Sequence, residues 1–171
     1  MTSIVVDRFQ FQLPAGWRVL DYDKCTFYRE HFNGIASSKA SDLLAISPSN
    51  DELWLVEVKD YRRHRRTKPI NIFAEIARKA RDTLAGLAAA RIRAYDTDTR
   101  SFAGSAARVM RIRIVLLLEQ PSRPSKLFPL VVDPANGRVA LKKAVKAIDP
   151  HSLLGNSAEL AAKTVWTITA P

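Results

Sequence analysis

The strongest constraint on the fold is a pair of short apolar runs, Leu43 to Ile46 and Leu53 to Val58, separated by the turn residues Pro48-Ser49-Asn50-Asp51. Runs of this length bounded by turn chemistry read as buried strands, here over 41–47 and 52–59. A four-residue loop sets the register, so that residue 47 faces residue 52. Ile46 then faces Leu53, Leu44 faces Leu55, and Asp42 faces Glu57. The strand period of two puts Lys59 on the same face as Glu57 and sends Leu43, Ala45, Trp54, Val56 and Val58 to the other. Both faces call for cover, yet one of them ends in two carboxylates and an amine.

Facing carboxylates have Cβ atoms roughly 4.5–5.5 Å apart and repel, more so in apolar surroundings. Protonating one acid relieves the repulsion, and so does a cation between them. Mg²⁺ is a hard ion that prefers oxygen ligands. Asp42, Glu57 and the main-chain carbonyl of Val58 would supply three.

Around the hairpin, residues 3–12 alternate as a strand. Residues 23–33 read as a short helix with Asp23 as N-cap, in competition with a strand through "TFYREHF". Apolar residues at three- and four-residue spacing predict a long helix over 71–93. A strand follows around 109–119. Then come a further strand in "LFPLVV", turn chemistry in "DPANGRV", a basic amphipathic helix in "ALKKAVKAI", a short helix from Ser157 to Lys163, and a closing strand in "TVWTITA". This order predicts one mixed α/β domain over residues 1–171, with the hairpin at its centre.

Asp42, fourteen intervening residues, then Glu57-Val58-Lys59, each part on a strand, resembles the PD-(D/E)XK motif of the restriction-endonuclease-like nucleases. The likeness covers roughly residues 23–120, where helix, hairpin, long helix and strand follow that family's core order. Ser41 departs from it, standing where the motif often has proline. The resemblance implies a mixed central sheet flanked by helices and a Mg²⁺-dependent phosphodiesterase, with Mn²⁺ able to substitute. Asp42 and Glu57 would hold the metal, with Lys59 activating water and Glu30 supplying an extra acid. The chemistry is coherent, since a carboxylate-held Mg²⁺ neutralises phosphate charge and lowers the pKa of bound water.

Charge points to the partner. The chain has 27 Lys and Arg against 17 Asp and Glu, a net +10. Residues 62–93 carry ten positive and two negative charges, most of that excess. Arg62, Arg63, Arg65, Arg66, Lys68, Arg78, Lys79 and Arg81 are therefore read as contacts to nucleic-acid phosphates beside the acids. DNA is favoured over RNA, and a homodimer or partner subunit is expected because one such domain leaves little room for a separate target reader. A rival reading is a catalytically silent nucleic-acid-binding module of the same fold within a larger assembly. A membrane- or protein-binding domain would explain the charge but not the hairpin.

One cysteine, Cys25, excludes an internal disulfide and a cysteine metal cluster. The N-terminus does not read as a signal peptide, and the apolar run at 114–118 is too short to span a bilayer. A cytoplasmic location is expected, with no membrane partner.

Overall fold

The computed structural model describes residues 1–64 and 66–169. Two sheets form. The larger has five strands in the order β3 (Arg18–Leu20), β4 (Leu43–Ile46), β5 (Glu52–Asp60), β6 (Arg111–Glu119) and β7 (Leu153–Gly155). Strands β3, β4 and β5 pair antiparallel, while β5, β6 and β7 run parallel. The smaller sheet has the order β1 (Thr2–Val6), β2 (Phe9–Leu13) and β8 (Thr167–Thr169). The described residues also form four α-helices: α1 (Ile72–Arg93), α2 (Thr97–Ala106), α3 (Pro134–Val145) and α4 (Ser157–Ala161). Among the described residues, no helix is long and apolar enough to cross a membrane.

The hairpin register is the one expected. Leu44 pairs with Leu55 and Ile46 with Leu53. Leu44, Ile46, Leu53 and Leu55 enter a core with α1, α2 and α3. Leu43, Ala45, Val56 and Val58 enter a second core against the three-stranded sheet and α4. Trp54 joins Trp17 and Trp166 there, with ring centroids 4.8–6.1 Å apart. These edge-on and tilted rings tie the sheets together.

Several local readings are corrected. The N-terminal run is a hairpin rather than one strand, because Asp7 takes φ 53° and turns the chain. Residues 22–37 form two 3₁₀ turns flanking a one-turn π-helix, Phe27–Phe32. Its i→i+5 bond runs from the Asn33 N–H to the Tyr28 carbonyl. Asp23 caps no helix. "LFPLVV" makes no strand. "DPANGRV" is the N-cap and opening turns of α3, where Asp133 accepts from the Asn136 N–H and Pro134 sits in the first turn, the position that needs no donor. The helix 97–106 and the short strands β3 and β7 had no periodicity long enough to announce them.

Candidate functional site

Asp42 lies one residue before β4, and its main chain still pairs, N–H to the Val56 carbonyl at 3.1 Å. Its side chain extends the ladder. Oδ2 accepts the Val58 N–H at 2.8 Å, standing in for the next backbone acceptor. Glu57 follows on the same face and is only 2% exposed.

Helix α1 covers this corner. Its N-cap is Asn71, whose side chain accepts from the Phe73 and Ala74 N–H groups. Glu75, Lys79, Asp82 and Thr83 fall at i, i+4, i+7 and i+8, a polar stripe beside the apolar one. Thr83 Oγ1 accepts the Ser41 N–H at 2.9 Å, and Asp82 accepts the Lys39 N–H at 3.0 Å. The segment entering β4 is thus clamped to the helix. A proline at position 41 would have no N–H for Thr83, which argues against the motif's proline there.

The clamp sets Lys79 between the acids, its ammonium 3.0 Å from Asp42 Oδ1 and 2.6 Å from Glu57 Oε1. Lys59 also pairs with Glu57 Oε1. Glu57 Oε2 is buried with no hydrogen-bond partner among the described residues. Burial, then the Asp42 charge, push the Glu57 carboxyl up to about 7, with Lys79 and Lys59 opposing. Burial alone would lower Lys79, but Glu57 and Asp42 outweigh it and hold the ammonium above its ordinary value. Burial, a hydrogen bond with Asp21 and the Asp42 charge raise Asp23 to about 7.

The corner opens on a cleft of about 480 Å³ whose lining includes Asp23, Tyr28, Lys39, Lys68, Glu75, Arg78 and Lys79. The structure brings Asp42, Glu57 and Lys59 together as the sequence suggested. Glu30 is exposed on the π-helical turn. The acid from this region that reaches Asp42 electrostatically is Asp23, which sequence reasoning took for a cap. Lys79, read as an outward phosphate contact, turns inward. The polar stripe on α1 was the signal that could have identified it.

Most of the basic stripe has internal partners. Arg62 grips Asp60 with two bonds, 2.7 and 2.9 Å, and lies over the Phe9 ring. Arg66 donates to Tyr61, Ile70 and Glu75, and Lys68 to Glu75. Arg78 donates to the carbonyls of Ala36 and Ser37, both at positive φ, and pairs with Asp82. Arg63 and Arg81 are exposed, with Arg81 also on Asp82. Arg65 lies outside the described residues.

The donor set does not fit Mg²⁺ or Mn²⁺ as arranged. Lys79 fills the position between the carboxylates, and Asp42 Oδ2 is committed to Val58. Among the described residues, no group of three or more His, Cys, Asp or Glu could hold a metal ion. Two lysines balance two carboxylates, so the corner carries no excess negative charge toward a phosphate.

No family model matches the chain, and no solved structure matches it. In sequence it is similar to a cysteine–tRNA ligase of Neisseria meningitidis serogroup A, at 32% identity over 167 residues. The match takes in 80% of this chain and 24% of the ligase, so the chain spans about a quarter of that relative's length. The relative is by its name a tRNA ligase, neither a nuclease nor a hydrolase. On that finding the expectation of a DNA-cutting nuclease is overturned.

Proposed function

We propose that the chain is an aminoacyl-tRNA-synthetase-related domain that binds tRNA and contributes RNA recognition rather than amino-acid activation. The sequence likeness to a quarter of a cysteine–tRNA ligase carries this reading. The charge agrees, because a net +10 favours a polyanionic partner. The cleft agrees as well: Lys39, Lys68 and Arg78 line it, and Lys79, which also lines it, is paired with Asp42 and Glu57. For the fold, the succession of helical turn, β4, β5, α1 and β6 supports a restriction-endonuclease-like core put to binding use.

The test is binding of unmodified tRNA and of duplex DNA of equal charge across a salt series. tRNA is expected to bind more tightly. Affinity should fall with a log–log slope of roughly −0.9 per phosphate neutralised. Lys39→Ala with Lys68→Ala should flatten that slope by about two contacts. Equal or tighter binding to DNA, or a slope unmoved by the double substitution, would sink the reading.

A further inference from the structure

Beside the basic cleft is a smaller hollow of about 250 Å³, lined by Tyr61, Arg66, Lys68, Phe128, Pro129 and Val131. Lys68 lines both, so the two hollows are neighbours on the surface. Resting on the tRNA-binding reading above, we propose that the smaller hollow takes one unpaired nucleobase of the bound RNA, stacked on Phe128, while Lys68 meets the adjoining phosphate.

Size is the first argument. Sites for drug-sized ligands run to roughly 300–1,000 Å³, and a hollow below that range suits a group as small as one base. The second is the presentation of an aromatic ring to solvent. Phe128 is 37% exposed. Its loop is nonetheless tied down at both ends. Ser125 and Phe128 exchange two bonds, Ser125 N–H to the Phe128 carbonyl and Phe128 N–H to Ser125 Oγ. The Gln120 amide takes the N–H groups of Val131 and Val132 at 2.8 and 3.0 Å and donates to the Val132 carbonyl at 2.9 Å. A ring held ready in this way binds without the cost of ordering a loop. Every base has a π-face, so stacking tolerates any sequence.

Charge is the third argument, and it favours a nucleotide over an apolar protein side chain. Arg66 is anchored by the Tyr61 hydroxyl, the Ile70 carbonyl and Glu75, so its guanidinium is held in place in the lining of the hollow. Lys68 meets one Glu75 oxygen at 2.8 Å, and its side chain is 60% exposed. That leaves ammonium protons free for a phosphate. Apolar floor, aromatic wall and cationic lip together match a base and its phosphate.

The probe is a short RNA hairpin with 2-aminopurine in a single-stranded 3′ tail, compared with the same hairpin made blunt. Stacking quenches this fluorophore. Wild-type protein should quench it as binding saturates. Phe128→Ala should abolish the quenching and weaken tailed-hairpin binding roughly 5- to 100-fold, leaving the blunt hairpin unaffected. Phe128→Trp keeps an aromatic face and should retain quenching, which separates stacking from any fold defect. If both hairpins bind alike without quenching, the base pocket is overturned and tRNA binding stands. Binding of neither hairpin overturns both. Quenching that survives Phe128→Ala overturns the assignment of the ring.

Discussion

The Lys79 ammonium lies 2.6 Å from Glu57 Oε1, a contact between a helix and a strand 22 residues apart in the chain. Both side chains are largely withdrawn from water, at 13% and 3% exposed. Removing one member of such a pair leaves its partner charged and desolvated. Lys79→Met should therefore lower unfolding free energy by about 3 kcal/mol at pH 7.5. Arg81→Ala, on the exposed face of the same helix, should cost less than about 0.5 kcal/mol. Urea denaturation measures both, and similar losses would show that the buried contact contributes nothing special.

Glu57 should make stability fall as pH rises. Its folded-state pKa, raised by burial and then by Asp42, is about 7 against an ordinary 4.5. The folded protein therefore holds the proton more tightly than the unfolded chain. The stabilisation is fully present below pH 4.5 and is lost as pH climbs through 7, on the order of 3 kcal/mol in all. Glu57→Gln cannot titrate. Its stability relative to wild type should improve between pH 5 and pH 8. Parallel curves would mean that Lys79 and Lys59 keep Glu57 ionised throughout.

Glu75 should act in the opposite sense. Burial raises it, but Lys68, Arg66 and Lys59 prevail and bring it down to about 2. Its contribution is present above pH 4.5 and fades as pH falls toward 2. Glu75→Gln should cost about 1–2 kcal/mol at pH 7, since one partner is exposed. The gap from wild type should narrow by pH 3. A gap that stays constant would show that the ion pairs do not matter.

Gly86 is predicted to reject even a methyl group. A Cβ there would lie 2.0 Å from the Tyr22 hydroxyl and 3.3 Å from Phe32. Tyr22 is fully buried and cannot move aside. Alanine gains about 1 kcal/mol in helix propensity, yet the clash should leave Gly86→Ala about 2 kcal/mol less stable. The Tyr22 hydroxyl has no hydrogen-bond partner among the described residues, so Tyr22→Phe should be neutral or stabilising. Combined with Gly86→Ala it should recover most of the loss in thermal melts. No recovery would place the strain elsewhere.

The hairpin and its corner were legible in the sequence because they depend on local rules. Loop length sets the register of β4 against β5, and the period of two then assigns every side chain from Asp42 to Lys59 to a face. The long helix was legible through its apolar spacing. Short elements were not. Strands β3 and β7 have three residues each and owe their pairing to β4 and β6. The π-helical turn at 27–32 has no propensity signature.

By itself the sequence determined that Asp42, Glu57 and Lys59 share one end of a buried sheet face, since strand alternation is a covalent matter. It also determined the net +10 and its concentration in residues 62–93. Only tertiary structure decided how those charges are used. Packing of α1 across the sheet turned Lys79 inward between two acids, tied Arg66 and Lys68 to Glu75, and placed Asp23 rather than Glu30 within reach of Asp42. Charge pairing depends on which side chains the fold brings together, from Lys68 and Glu75, 7 residues apart, to Lys79 and Asp42, 37 apart, and the desolvation that sets each group's protonation exists only once the core has closed.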